Sequence, residues 1–168
     1  MEVIAHLLAA GAGIPNNPRL PVLAYRGAVR ITGADPAAIF ERLFSENLWV
    51  GCWRNGIFPF HHYHSTAHEV LGVYQGTATV ALGGETGITL DIAPGDVVVI
   101  PAGVGHKRLA AAGGLGIVGA YPAGQDPDMC RGHRDPARQH ADNVARVPLP
   151  ALDPVCGAGG PLFTHWQS

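Results

Sequence analysis

The nine residues His61–Glu69, HHYHSTAHE, hold four histidines and one glutamate, and their alternation decides how the chain is read. Successive side chains of a strand point to opposite faces, so His62 and His64 share one face while His61 and Tyr63 take the other. Phe58 and Phe60 have the parity of His62 and His64, which predicts an inward row of apolar side chains followed by imidazoles. Ser65 to His68 has the length of a hairpin loop. Glu69 then opens a returning strand on which Leu71 and Val73 share its face. A carboxylate in such company needs a cation or hydrogen-bond donors.

The surroundings extend this pattern. Gly95–His106, GDVVVIPAGVGH, repeats the logic: a β-branched strand, a turn at Pro101 and Gly103, and an imidazole opening the returning strand. Two neighbouring hairpins would bring three nitrogens and one oxygen to one point. Strand-like runs VLGVYQG, TATVAL, GITLDI, VVVI, HKRLA and LGIVGAY alternate with turn signals at Gly83-Gly84 and Pro94-Gly95. Short strands at even spacing predict an antiparallel barrel or sandwich. Ahead of them, residues 14–34 carry Pro15, Pro18 and Pro21 and predict an extended arm with one strand near VLAYRGAV. Residues 35–48 are the clearest helix, with Asp35 as N-cap and Pro36 first in the helix. Ile39, Phe40, Leu43, Phe44 and Leu48 fall on its apolar face. After Tyr121 the chain becomes rich in Pro, Asp and Arg, with a short helix expected near DPARQHADNVARV. The division is an N-terminal arm and helix at 1–48, a barrel at 49–121, and a tail at 122–168 wrapping it, all one domain.

Composition narrows the function classes. Charged residues are only 14% against 47% hydrophobic, which fits a globular chain and not a disordered one. The formal net charge of -2, without a Lys/Arg run, argues against nucleic acid or an anionic membrane as partner. The apolar start MEVIAHLLAAGAG is too short to span a bilayer and carries Glu2 where a signal peptide has positive charge, so a cytoplasmic protein is expected. Cys52, Cys130 and Cys156 form no C-x-x-C pair and fit reduced thiols.

Two spacings carry a family resemblance. Gly56, His62, His64, Glu69 and Gly76 resemble the first motif of the cupin superfamily, and Gly95, Pro101, Gly103 and His106 resemble its second. Ala110 stands where the second motif usually ends in Asn. The resemblance covers residues 50 to 121, and the arm and the tail segment AYPAGQDPDMCRG are similar to a group of small bacterial single-domain cupins. It implies an all-β fold, a double-stranded β-helix or jelly-roll barrel, with a metal at its mouth. By position it implies His62, His64, Glu69 and His106 as the metal ligands.

Four such ligands leave an octahedral ion two positions, which suits Fe, Mn, Ni or Co; Zn would bind with less room for chemistry. The expected activity is that of a metal-dependent, dioxygenase-like enzyme on a small organic molecule chelating through neighbouring oxygens. A non-catalytic metal- or ligand-binding barrel, or an isomerase or epimerase of sugar-like substrates, is the alternative. Phe58, Phe60, Leu71, Val73, Val97 and Val99 are expected to line an apolar interior. His61 and His68 are read as exposed or as partners behind the ligands, and His6, His133, His140 and His165 as surface residues. Cys130, beside Arg131, is read as an unreactive thiol before an activated one. Arg108 is read as a surface cation before a contact for an anionic substrate, and Trp49, Trp53, Tyr63 and Tyr74 as packing residues. The proline-rich arm is suited to lie across a partner copy, which gives a homodimer. No catalytic residue is assigned. His68-Glu69 lacks the second histidine of a zincin helix, and no G-x-S-x-G elbow or phosphate-binding loop occurs.

Overall fold

The computed structural model describes residues 1–11, 13–132 and 137–167, with backbone only at 137 and 138. His133 lies outside the described residues. The elements are β1 (Glu2–His6), β2 (Val22–Arg26), α1 (Ala37–Glu46), β3 (Trp49–Asn55), β4 (Glu69–Leu82), β5 (Ile88–Ile92), β6 (Val97–Ile100), β7 (His106–Pro122), α2 (Ala137–Arg146) and α3 (Leu162–His165). All strand pairs are antiparallel, in the order β1-β2-β6-β4-β7-β3, with β5 on the far half of β4. The protein is a jelly-roll barrel.

The long strands β4 and β7 form its seam. Runs that read as separate strands, VLGVYQG and TATVAL, are one continuous β4, and HKRLA and LGIVGAY are one β7. Register shifts between Val73 and Gln75, Gln75 and Thr77, and Thr79 and Val80 bend the pair. Such bulges add twist and let a long ladder curve into a barrel wall without breaking.

The wall is buried on both faces. Leu71, Val73, Val98 and Ile100 point into the barrel core, whereas Val70, Val97, Val99 and Val118 pack outward against Phe40, Phe44 and Trp166. The expectation that Val97 and Val99 line the interior is therefore corrected by one residue. An all-apolar strand has no internal parity signal, since both faces are covered. Its partner supplies the register: Ile100 lies opposite Glu69 and Val98 opposite Leu71. Gly72, on the outer face, lets α1 come close; a Cβ there would sit 2.2 Å from Phe40 Cδ1.

In α1, Pro36 already has helical angles (φ -67, ψ -23). The Arg54 guanidinium chiefly holds the Asp35 carboxyl below its ordinary value, and the amides of Ala38 and Ala37 act in the same direction. Phe40 and Phe44 are buried, but Leu48 is 47% exposed. The helix ends at Glu46, and Leu48 takes a left-handed conformation (φ 60) that turns the chain into β3 and its side chain off the helix face.

The arm is tied to its own barrel. The Asn16 amide donates to Ala9 O (2.6 Å) and Gly83 O (3.0 Å), and its oxygen accepts from Gly105 N (3.2 Å). Asn17 donates to Ala102 O (3.1 Å). The end of the tail is fixed by Asp153, fully buried, which accepts from Tyr25 Oη (2.7 Å) and from the amides of Val155, Cys156 and Leu162. No helix among the described residues is long and apolar enough to cross a membrane.

Candidate metal centre

The stretch His61–Glu69 is not a regular strand. It lies against the start of β7 through paired bonds between His62 and His106 (His62 N to His106 O 3.2 Å, His106 N to His62 O 2.9 Å). Neither turn closes a hairpin: His62 pairs with His106 of β7, Glu69 pairs with Ile100 of β6, and β4 separates β6 from β7. Gly103 N donates to His64 O (2.8 Å) and so joins the two turns directly. Phe58, expected inside, is 45% exposed at the rim, stacked on Phe60 at 4.9 Å. Phe58 and Phe60 lie beside His62, 5.3 and 5.8 Å from its ring, and Arg108 N donates to Phe58 O (2.9 Å), so the row forms but runs out to the rim of the pocket.

His62, His64, Glu69 and His106 are brought together. One nitrogen of each imidazole lies within 4.8 Å of the others. Glu69 Oε2 is 3.1 Å from His106 Nε2 and 3.4 Å from His64 Nε2. All four residues are buried. The opposite ring nitrogens face backbone carbonyls: His62 Nδ1 at Phe60 O (3.2 Å), His106 Nδ1 at Val104 O (3.1 Å) and His64 Nδ1 at Asp128 O. A carbonyl accepts only, so each Nδ1 carries a proton, and in the neutral ring the lone pair is on Nε2, facing the pocket.

This arrangement calls for a cation. Three lone pairs and a carboxylate oxygen converge in a buried space, and Glu69 Oε2 has no hydrogen-bond donor. Like acceptors at this distance repel unless a proton or metal lies between them. Burial pushes the His62 imidazole down to about 3. Burial also works against a charged His64, but the Glu69 carboxylate, 3.4 Å from its Nε2, outweighs it and lifts the ring above its ordinary value. Burial of Glu69 is likewise outweighed by His106 and His64, which hold its carboxyl low. The residues present fit a divalent metal.

The pocket above them has a volume of about 200 Å³. Its walls include Trp53, Ile57, Leu71 and Tyr121, with Phe58 and Met129 at the opening. No Lys or Arg is among its described lining residues. Arg108 is half-buried and lies outside the lining. Trp53 and Tyr121 are among the lining residues that the sequence reading did not place at the site. Trp53, taken as packing, donates from Nε1 to Tyr121 Oη (3.1 Å). Tyr121 lies edge-on to His64 (5.7 Å) with Glu69 nearby; burial, then the Glu69 charge, raise its ionisation above the ordinary range. No spacing points to Tyr121, because the bulges in β7 scramble parity between it and His106.

Among the other histidines, His68 and His140 are placed differently from expectation. His61 Nε2 is 3.0 Å from Glu85 at the surface. His68 is fully buried, not exposed: Ala102 N donates to its Nδ1 (2.9 Å) and Trp166 packs on its ring (4.7 Å). His140, expected at the surface, bonds Tyr63 Oη (2.9 Å) and approaches Cys130 Sγ (4.0 Å). His6 is half-buried and His165 exposed.

Cys130 is buried, and burial followed by Asp128 pushes its thiol up to about 12, so it is a protonated donor, 3.2 Å from Asp128 Oδ2. Asp128, Cys130 and His140 also lie within 4.8 Å of one another. The Asp128 carboxylate is already engaged by Ser65 N (2.6 Å), Thr66 N (3.3 Å), Ser65 Oγ and the Cys130 thiol. This group is a hydrogen-bonded knot.

Comparison with known proteins agrees with the geometry. The profile of a family described as Cupin domain matches residues 53–113. A Bacillus subtilis (strain 168) protein, YjlB, itself described as uncharacterized, is 39% identical over 153 residues, covering 91% of this chain and 90% of its own. Among solved structures, a DUF861 family protein from Thermotoga maritima is 24% identical over 54% of this chain and 96% of its own (TM-score 0.33). The dTDP-6-deoxy-D-glucose-3,5-epimerase RmlC from Legionella pneumophila is 14% identical over 80% of this chain and 74% of its own (TM-score 0.37). At such scores neither likeness bears on chemistry.

Proposed function

This chain belongs to the cupin superfamily, and we propose that it is a metal-dependent, dioxygenase-like enzyme acting on a small organic molecule that chelates through neighbouring oxygens. His62, His64, Glu69 and His106 would hold a divalent transition ion: Fe, Mn, Ni or Co, with Zn admissible. The observation that carries this reading is the set of three Nδ1 groups turned to backbone carbonyls, which leaves three Nε2 lone pairs and Glu69 Oε2 aimed at one point. When bound, such an ion supplies Lewis acidity and, as Fe, access to dioxygen chemistry.

The chain's own residues do the rest. Trp53, Ile57 and Leu71 exclude water and favour an apolar body on the substrate. Tyr121 places a hydroxyl near Glu69 and within the pocket, where it can orient a substrate oxygen and hold a proton. The alternative of an isomerase or epimerase of sugar-like substrates is disfavoured. The pocket walls of Trp53, Ile57 and Leu71, with no Lys or Arg among the described lining residues, suit a compact, partly apolar molecule better than a polyhydroxylated one. Association as a homodimer is proposed along β1, the outer strand of the order, with Leu7 beside it 60% exposed; sedimentation tests it.

The functional test uses purified, untagged protein. Metal analysis is expected to find about one transition ion per chain, and oxygen uptake is expected with one class among diols, hydroxy-ketones and diketones. Protein without stoichiometric metal after reconstitution refutes the proposal. Loaded protein that consumes no oxygen with any of them favours a non-catalytic binding barrel.

A further inference from the structure

We propose that Asp128, from the tail beyond the barrel, is a positioning residue for His64; the inference rests on the metal reading above. The three imidazoles are oriented in different ways. His62 and His106 face carbonyls two residues away, at Phe60 and Val104, so local chain geometry sets their rings. His64 faces the carbonyl of Asp128, 64 residues further along. One of the three nitrogen ligands is thus held by a part of the chain outside the residues matched by the family profile.

The Asp128 side chain locks that contact. Its Oδ1 accepts from the amides of Ser65 (2.6 Å) and Thr66 (3.3 Å), which directly follow His64. In return Asp128 N donates to Thr66 Oγ1 (3.1 Å). On the other side of His64, Tyr63 and Cys130 exchange paired backbone bonds of 3.0 Å. The residues flanking His64 are therefore clamped to residues at and just beyond Asp128, and the carbonyl is presented to Nδ1 at a fixed place. Holding the proton on Nδ1 keeps Nε2 as the lone pair. Without the clamp the ring can exchange tautomers or turn, and the site loses a preset ligand.

The test compares Asp128→Ala and Asp128→Asn with Asp153→Ala, a control that cuts a buried carboxylate elsewhere in the same tail. Nitrogen NMR of the metal-free protein, above the titration range of His64, is expected to show a single Nδ1–H tautomer in wild type and a mixture in Asp128→Ala. Co(II) affinity, by chelator competition, is expected to fall about 10- to 100-fold in Asp128→Ala. Asp128→Asn keeps an oxygen for the two amides and is expected to recover most of it, and it serves should the alanine variant fail to fold. Asp153→Ala is expected to lose stability with Co(II) affinity within about twofold of wild type. Unchanged tautomer and affinity in Asp128→Ala overturn the positioning role, as does an equal loss of affinity in the Asp153 control. Wild-type protein that takes up no Co(II) instead overturns the metal reading itself.

Discussion

His62→Ala isolates metal binding from folding better than any other change at the site. Glu69 lies against His64 and His106, so removing either strips a buried carboxylate of a partner. His62 is different. Its ring is neutral, pushed down to about 3 by burial, and its hydrogen bond runs to Phe60 O. Truncation orphans that carbonyl and opens space beside His106, whose ring centroid is 4.0 Å away, at a cost of about 1–3 kcal/mol to the metal-free protein. The metal-dependent part is larger in relative terms. An ion at 100 times its dissociation constant stabilises the native state by about 2.7 kcal/mol. For a chain of 168 residues that raises the melting temperature by about 5–11 °C. A ligand loss that weakens affinity at least about 100-fold, the upper range for changes behind the ligands, leaves about 0.4 kcal/mol at the same concentration. The expected shift is then about 1–2 °C. Differential scanning calorimetry with and without Co(II) reads both numbers within each variant, so the metal-free loss cancels. A full shift in His62→Ala would refute the ligand set.

Three further outcomes are expected. Burial holds His68 down to about 4, against the opposing effect of the Pro148 carbonyl. The unfolded chain, titrating near 6.5, therefore binds the proton first, and about 3 kcal/mol of stability present above that value is lost as pH falls from 6.5 to 4. In denaturant titrations, the penalty of His68→Gln relative to wild type should shrink by that amount between pH 7 and pH 4; a constant penalty refutes the buried neutral ring. Phe40→Ala empties the fully buried contact between α1 and the barrel wall and should cost about 3–5 kcal/mol in urea unfolding; a loss under about 1 kcal/mol refutes the outer core. In native protein, disulfide exchange reagents should label exposed Cys156 and leave buried Cys130 until unfolding; prompt labelling of Cys130 refutes the closed knot.

Much of the site was legible because it is written in short range. The loop between His64 and Glu69, and the turn at Pro101 and Gly103 before His106, put the ligands beside turns, as expected, but the segments flanking each turn pair with other strands and form no hairpin. The inward face of Glu69, Leu71 and Val73 followed from alternation in a strand with a mixed pattern. Alternation failed where it had nothing to register. VVVI is apolar on both faces, so only its pairing with β4 shows that Val98 and Ile100, not Val97 and Val99, look inward. The row of Phe58, Phe60 and His62 formed, but it leads out to the rim, where Phe58 is exposed, and not into the interior.

By itself, then, the sequence determined an antiparallel barrel or sandwich with histidines and a glutamate gathered at two turns, since hydrophobic period and turns are properties of neighbours along the chain, and the resemblance of its two motifs to the cupins implied the jelly-roll and the four ligands. The tertiary structure alone decided what surrounds them. Tyr121 comes near Glu69 because bulges re-aim β7, His68 is buried because Trp166 returns from the far end of the chain to cover it, and His64 is oriented by a carbonyl in the tail. Contacts of that separation leave no periodic trace, because each is set by where the whole chain packs.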